Sequence, residues 1–363
     1  MDNTLVNQPE ALALKHKLSI SFFKKGITVA ILSGMFYGLY SAFVTKGMYE
    51  GVWAVWYSGD AALSTFVVTY VLGALGSAIN DTVSAIWCLI IAAGKGKLMD
   101  FFRTIKTKPG AVMILCALAG GPIASTAYIV SLQMAGSIVI PITALCPAIG
   151  AILGRVLFKQ ELNGRMVVGI VICVGSSMLI GSTALHADAS PDMLLGCFIA
   201  LIAAFGWGAE GCIAGYGTTL IDYEIGIGIT IRQTTSGLTN LIILVPILSI
   251  MAGNIALAPE LISQAITSGP AMLFFAISGF CAVFAYSLWY KGNSMCGAPL
   301  GMACNGTYSF WGPFFCWIIL GVIFGESGWM LAARAWIGAV TMFIGICLIA
   351  FNPLELFEKK KEV

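Results

Sequence analysis

Charge is scarce in this chain of 363 residues, because Asp, Glu, Lys and Arg together make up 10% of it while 59% of the residues are hydrophobic. A soluble domain of this size does not need so much apolar surface. The composition therefore excludes an ordinary globular protein and predicts an all-α polytopic membrane protein. The net charge of +2 points to no particular partner, so we expect contact with the lipid bilayer and none with nucleic acid.

Motifs for catalysis and metal binding are missing as well. The chain has two histidines, His16 and His186, and contains no HExxH motif, no CxxC pair and no GxxxxGK[ST] loop. These absences argue against an intramembrane enzyme, against a metal or other cofactor, and against ATP-driven transport by this chain alone. The 11 cysteines lie in apolar stretches, where we expect them to be small buried hydrophobic side chains.

A cleaved signal peptide is not expected either. The polar stretch 1–25 holds no short apolar core followed by small residues at an AxA-like site. The first apolar run is therefore predicted to be a retained helix.

Apolar runs long enough to span a bilayer, which takes roughly 20 residues, occur ten times. They lie at about 27–45, 60–93, 110–132, 137–158, 165–185, 193–217, 225–252, 270–290, 298–323 and 331–352. The run 60–93 is too long for one ordinary span. It either projects beyond the bilayer or is broken near Asn80 and Asp81.

Basic residues predict the orientation of these helices. With the N-terminus inside, 16 of the 19 Lys and Arg fall on the cytoplasmic side and 2 outside, while Arg232 lies within a helix. Positive charge accumulates in cytoplasmic loops, so both termini are predicted to be cytoplasmic. In the cytoplasmic turn before the seventh helix, Asp222 and Glu224 are expected to cap that helix.

The two halves of the chain resemble each other. Tyr37 and Gly38 in the first run align with Trp207 and Gly208 in the sixth, and Pro147 aligns with Pro313. Five helices per half is an odd number, so the halves must lie in opposite orientations. The predicted organisation is a cytoplasmic segment 1–26, a first repeat 27–185, a second repeat 193–352 and a cytoplasmic tail 353–363.

The segment 133–181, QMAGSIVIPITALCPAIGAILGRVLFKQELNGRMVVGIVICVGSSMLIG, is similar to the EamA-type signature of the drug/metabolite transporter superfamily. The segment 321–349 takes the same place in the second half, with Glu326 in the equivalent turn. This resemblance implies ten transmembrane helices in two inverted five-helix repeats around a central cavity. The segments 33–53 and 284–326 look more like the sugar porters of that superfamily, including the rhamnose-proton symporter type.

Ionisable groups within the apolar runs are the first candidate site residues. Such charges are expensive in hydrocarbon, by about 2.5–3.5 kcal/mol on insertion scales, so they face the bundle interior and pair. Depth counting along the helices puts Glu210 level with Arg232. Glu210, Arg232 and Asp81 are the proton-coupling candidates. A permanent Glu210–Arg232 bridge that only fixes helix packing is the alternative, and Asp81 is either a cavity acid or a residue at a helix break.

Aromatic and amide side chains form the second candidate set, around the proline-interrupted fourth and ninth helices. The predicted substrate-binding residues are Tyr37, Tyr40, Trp207, Glu210, Asn305, Tyr308 and Trp311. Aromatic residues near helix ends are usual at the membrane interface, and we assign Trp53, Trp56, Trp289, Trp329 and Trp336 to such belts.

These observations favour a secondary active transporter that moves a small polar metabolite by alternating access. A sugar-like neutral solute is favoured, and protons acting through Glu210 are a candidate driving ion. The alternative is a transporter of an organic cation, amine or amino acid, with Glu210 as counter-charge; an intramembrane enzyme is a third reading. A Glu210–Arg232 pair would favour the neutral or zwitterionic solute. We expect a monomer or homodimer in a bacterial cytoplasmic membrane.

Overall fold

The computed structural model describes residues 8–159, 163–182, 191–217, 224–296 and 298–350, and the regular structure within these ranges is helical. Among the described residues, seven helices are long and apolar enough to cross a membrane, and three shorter apolar helices accompany them. Many of their large apolar side chains point outward, for example Val171, Met178 and Ile242 with 64%, 70% and 65% exposure. The chain is therefore an all-helical, multi-pass membrane protein, as its composition predicts.

The first part of the chain, up to residue 182, contains the following elements. They are α1 (Gln8–Gly47), α2 (Val52–Ser58), a π-helical segment (Val67–Val71), α3 (Leu72–Gly94), α4 (Leu98–Thr104), α5 (Lys108–Leu118), a π-helical segment (Ala119–Ser125), α6 (Thr126–Ala135), a 3₁₀ turn (Gly136–Ile138), α7 (Val139–Thr143), α8 (Cys146–Phe158) and α9 (Gly164–Gly181).

The second part begins at residue 191. Its elements are α10 (Pro191–Gly217), α11 (Ile225–Thr239), a π-helical segment (Asn240–Leu244), α12 (Val245–Met251), α13 (Leu257–Thr267), α14 (Gly269–Cys296), α15 (Ala298–Asn305), α16 (Tyr308–Phe315), a π-helical segment (Cys316–Ile323) and α17 (Ala333–Ala350). The predicted cytoplasmic tail 353–363 lies outside the described residues.

The long second run forms one helix. Its helical backbone continues through Asn80 and Asp81, so the predicted alternative of a break at that point is wrong. The run is shorter than expected because residues 62–64 are not helical. Asp81 consequently lies in the middle of a membrane-spanning helix.

The proline-bearing fourth and ninth helices are interrupted within their apolar runs. Gly136 has φ +63° and ψ −155°, a conformation open to glycine, and stops α6 close to the predicted loop. A second interruption, at residues 144–145, separates α7 from α8 inside the run 137–158, as expected for the proline-interrupted fourth helix. A similar interruption at residues 306–307 lies between α15 and α16.

The helices pack in pairs along the bundle. α1 lies along α14 and touches α15 and α16, while α10 lies along α5 and α6 and touches α7 and α8. α3 packs against α11, and α9 against α17. Gly34 shows how close these contacts are, because a Cβ there would lie 2.3 Å from Thr307 Oγ1 and 2.7 Å from the Asn305 carbonyl oxygen.

Most of the tryptophans that we assigned to the membrane interface are inside the protein. Trp53, Trp56, Trp289 and Trp329 are at most 6% exposed, so the predicted lipid-facing position is wrong for them. Trp53 packs between Trp56 and Phe275, with ring centroids at 5.1 and 5.5 Å. A tryptophan near a helix end has the same sequence context whether it faces lipid or a neighbouring helix, which is why the prediction fails.

Candidate functional site

Three ionisable side chains meet in the middle of the bundle, and none is more than 1% exposed. Arg232 on α11 binds Glu210 on α10 through both carboxylate oxygens, with Nε to Oε1 at 2.9 Å and NH2 to Oε2 at 3.1 Å. This confirms the predicted pairing of the two residues. Asp81 on α3 is the third member, with its Oδ2 atom 3.8 Å from NH1 of Arg232.

Polar neighbours complete the surroundings of the ion pair. The Tyr290 hydroxyl donates to Glu210 Oε1 at 2.9 Å, and the Tyr286 ring lies 4.0 Å from the guanidinium carbon of Arg232. NH1 of Arg232 donates to the Gln233 amide oxygen, while the Ser236 hydroxyl donates to Asp81. A bidentate guanidinium–carboxylate pair with further donors is the arrangement that keeps charges tolerable in a low-dielectric interior.

Two glycines make room for this cluster. A Cβ on Gly120 would lie 1.8 Å from Glu210 Oε2 and 2.7 Å from Arg232 NH2. A Cβ on Gly121 would lie 1.8 Å from the Ser236 hydroxyl. Both glycines belong to the π-helical segment Ala119–Ser125, which also contains Pro122. The backbone of this π-helical segment is thus the surface against which the charged side chains pack.

An aromatic cluster lies next to the ion pair. Tyr37 is at its centre, with ring-centroid distances of 4.5 Å to Tyr308, 5.5 Å to Trp207, 5.7 Å to Tyr128 and 5.2 Å to Tyr40. The predicted residues Tyr37, Tyr40, Trp207 and Tyr308 are therefore brought together.

A small cavity remains between these rings. It is lined by Tyr37, Cys146, Trp207, Ala285, Tyr286, Trp289, Asn305 and Tyr308. The volume open to the centre of a water molecule is about 10 Å³, which is room for about one water. In this conformation the cavity is therefore too small for anything larger than a water molecule.

Three donors at this cavity lack a hydrogen-bond partner among the described residues. They are the Tyr37 hydroxyl and the indole nitrogens of Trp207 and Trp289. All three side chains are at most 5% exposed. Buried donors are normally satisfied, so these three are the atoms of the cavity to which acceptor atoms of a ligand could bind.

The remaining predicted residues have different positions. Asn305 lines the cavity and donates from its amide to Ser33 on α1. Trp311 is only half-buried and stacks on Phe315, with ring centroids at 5.9 Å, so it does not belong to the cavity lining.

Several site residues were missed in the sequence. Gln233, Ser236 and Asn240 on the α11 side face Ser84, Asp81 and Ser77 on α3. The signal was available, because polar residues recur every three or four positions in both apolar helices, which puts them on one helical face.

Sequence comparisons identify no relative of known function. No family model matches the chain, and no curated protein matches it. A chain of known structure described only as "Crystal structure of protein" is similar with a TM-score of 0.53 and 15% identity. The match covers 93% of this chain and 98% of the other. At this identity the likeness is one of fold alone.

A second ionic cluster lies at the end of α1. Lys46 is 5% exposed and binds Glu50 at 2.7 Å and Glu326 at 2.9 Å, with its ammonium 4.6 Å from the centroid of the Phe324 ring. Glu326 follows the π-helical segment Cys316–Ile323, so the Lys46 cluster joins the first long helix to the last quarter of the chain.

Removing Lys46 should loosen this end of the bundle. In a Lys46→Met protein the link to Glu326 is lost, and a partly buried ion pair of this kind contributes about 1 kcal/mol. We expect a cysteine at the buried position Val44 to react about fivefold faster with a membrane-impermeant maleimide. Reaction rates are compared between Val44→Cys proteins with and without Lys46→Met, and the protein with valine at position 44 gives the background. Lys46→Arg is the charge-matched control. Equal rates with and without Lys46→Met would contradict the expectation.

The opposite end of the bundle carries an exposed pair between Lys97 and Glu224. Glu224 occupies the N-cap position of α11, but its side chain makes no capping hydrogen bond, so the predicted capping role is wrong. The carboxylate instead reaches across to the end of α3. Asp222, the other predicted capping residue, lies outside the described residues.

Proposed function

We propose that this protein is a secondary active transporter that moves a small, neutral, acceptor-rich solute by alternating access. The observation that carries the proposal is the closed aromatic cavity, with three unpaired donors, beside a fully paired Glu210–Arg232 bridge. Hydroxyl and ring oxygens of a sugar would accept from such donors and stack on such rings. The pairing of Glu210 leaves no bare carboxylate there for an organic cation.

The architecture proposed for this function is that of the drug/metabolite transporter superfamily, with ten helices in two inverted repeats and both termini inside. The packing supports a repeat, because each main contact between two helices has a counterpart between the equivalent helices of the other half. α1 against α14 corresponds to α10 against α6, and α1 against α16 corresponds to α10 against α8. Tyr37 and Trp207, which align in the sequence, lie against each other.

Glycine contacts support the same proposal. A Cβ on Gly38 would lie 2.7 Å from the Trp311 carbonyl oxygen, and one on Gly208 would lie 3.0 Å from the Cys146 carbonyl oxygen. The two glycines align in the sequence, and each rests on a helix that begins just after an interruption. Interrupted helices in both halves are where secondary transporters bind their substrates.

An organic cation is the second candidate substrate, and Asp81 is the reason. With both acids ionised, Asp81 and Glu210 would together carry one more negative charge than Arg232 balances. A cationic solute that reached this cluster would find a counter-charge. The cavity itself favours the neutral solute, because its three unpaired polar atoms are hydroxyl and N–H donors, which suit acceptor oxygens, and because no carboxylate lines it.

Uptake into proteoliposomes tests the proposal, with and without a pH gradient, across sugars, amines and amino acids. We expect uptake of a neutral sugar-like solute, and we expect Tyr37→Phe and Trp207→Phe each to weaken its apparent affinity about tenfold, since a hydrogen bond to a buried group contributes about 1 kcal/mol or more. Tyr57→Phe is the matched control, because its hydroxyl is also buried and unpaired but lies away from the cavity. Absence of transport for every solute would refute the proposal.

A further inference from the structure

The buried ionic cluster holds an unequal number of charges. Among the described residues, its fully buried members are two carboxylates, Asp81 and Glu210, and one guanidinium, Arg232. An uncompensated charge in the membrane interior is strongly unfavourable, and a carboxyl group removes it most simply by binding a proton. One proton on the cluster makes the interior neutral.

The hydrogen bonds distinguish the two acids. Glu210 accepts two bonds from Arg232 and one from Tyr290, so both of its carboxylate oxygens are already occupied by donors. Asp81 stands 3.8 Å from the same guanidinium, whose NH1 donates to Gln233 instead, and accepts from the Ser236 hydroxyl. The proton therefore belongs on Asp81.

The ionisable groups on the elements packed against α3 are consistent with a proton on Asp81. The ionisable groups that face Asp81 are Arg232 on α11, Glu210 on α10, Tyr286 on α14 and Tyr40 on α1. Among the other elements packed against α3, α6 brings Tyr128 to the aromatic cluster, Tyr70 lies about 16 Å further along the same helical stretch, and Asp100 and Arg103 on α4 lie beyond its far end. Arg232 is thus the one cation beside Asp81 within the described part of the chain, and Glu210 already holds it.

A polar seam runs along the contact between α3 and α11 and passes through Asp81. α3 and α11 run antiparallel, and their facing side chains form hydrogen-bonded pairs: Ser77 with Asn240, Asp81 with Ser236, and Ser84 with Gln233. One turn beyond Ser84, Cys88 and Thr230 face each other and line the inner end of a cavity.

This cavity, which we call the vestibule, lies between α3, α11 and α14 and measures about 720 Å³. Its mouth is formed by the helix ends that carry Lys95, Lys97, Glu224 and Lys291. Counting residues along α3, Asp81 lies about 10 Å beyond Cys88. The seam therefore connects the buried cluster to the inner end of the vestibule.

We propose that Asp81, rather than Glu210, is the proton-binding group of this protein, and that the seam between α3 and α11 gives it access to water in the vestibule. The proton moves from water to a carboxylate oxygen of Asp81 and returns the same way, with no other bond made or broken. The role of this proton in driving uptake rests on the proposed transport function, whereas the protonation itself does not.

Infrared spectroscopy of the purified protein in lipid tests the assignment without any substrate. We expect the C=O band of a protonated carboxylic acid at neutral pH. The band should shift when the chain contains carboxyl-¹³C aspartate, stay in place with carboxyl-¹³C glutamate, and vanish in Asp81→Asn. No such band, or a band that shifts only with labelled glutamate, would overturn the proposal.

Access through the vestibule is tested by the same band. In D₂O it should shift to its deuterated position, and we expect this exchange to slow at least tenfold in Cys88→Phe but not in Cys88→Ser. Unchanged exchange in Cys88→Phe would overturn the route. Finally, Asp81→Asn should retain solute exchange in proteoliposomes but lose accumulation driven by a pH gradient. If wild-type protein moves no solute while the band assignment holds, the transport function has failed and the proton site stands; full pH-driven accumulation by Asp81→Asn would refute its coupling role.

Discussion

Replacing Arg232 by methionine is expected to lower the free energy of unfolding by about 3–5 kcal/mol. The substitution removes the guanidinium but leaves Glu210 and Asp81 buried among apolar helices, at 0% and 1% exposure. Glu210 must then bind a proton or draw water into the bundle, beside Asp81, which already carries one. The tyrosine and serine hydroxyls that reach them cannot replace a full positive charge. The midpoint of unfolding by sodium dodecyl sulfate in mixed micelles gives the measurement.

A double variant is the control for that experiment. Glu210→Met combined with Arg232→Met removes both members of the pair and leaves Asp81 as the one acid of the cluster. Hydrophobic residues of similar volume often replace a buried ion pair with little loss of stability. We therefore expect the double variant to recover most of what the single variant loses. A double variant that is as unstable as Arg232→Met would show that the loss comes from packing and not from an unpaired charge.

The cluster also shows how far the sequence alone could go. Glu210 and Arg232 could be paired because each is an isolated charge in an apolar run, and because counting from the shared turn gives both the same depth. Asp81 could not be placed in that way, since its depth depends on where the helix begins within 60–93. The structure starts that helix after residue 64 and so brings Asp81 to the level of the pair.

The aromatic cavity was predictable only in part. Tyr37, Trp207 and Tyr308 come together because each lies on a helix that crosses the middle of the bundle. Trp289 was misassigned because a position near a helix end does not reveal whether the ring turns toward lipid or toward a neighbouring helix. Trp311 was wrongly assigned to the cavity, because its proximity to Tyr308 in the sequence does not tell which face of α16 it occupies.

The glycines were the part of the site that was hardest to predict from the sequence. The chain contains 42 of them, and spacing alone marks only pairs such as Gly34 and Gly38 for close helix packing. Nothing in the sequence separates Gly120 from glycines that merely pack. Its importance follows from a long-range fact, namely that α10 and α11 bring a carboxylate and a guanidinium to its Cα atom.

Gly120 is accordingly the position where the smallest substitution should have the largest effect on function. In Gly120→Ala the added methyl carbon would overlap Glu210 Oε2, 1.8 Å away, and crowd Arg232 NH2 at 2.7 Å. Three hydrogen bonds hold that carboxylate, so it cannot swing aside without losing some of them. We expect the free energy of unfolding to fall by about 1–3 kcal/mol and solute uptake to fall at least tenfold.

Gly175→Ala is the matched control, because Gly175 also lies within an apolar helix, α9, but has nothing within 4 Å of an added Cβ. Alanine is the better helix former by about 1 kcal/mol, so this variant should be as stable as wild type or more so, with unchanged uptake. Gly121→Ala disturbs the surroundings of Asp81 rather than those of Glu210, since its Cβ would overlap the hydroxyl of Ser236, which donates to Asp81. Equal stability and uptake in Gly120→Ala and the control would contradict this expectation. Glu210 and Arg232 would then not be held together against Gly120, and the proposed neutral substrate, which depends on their pairing, would lose its support.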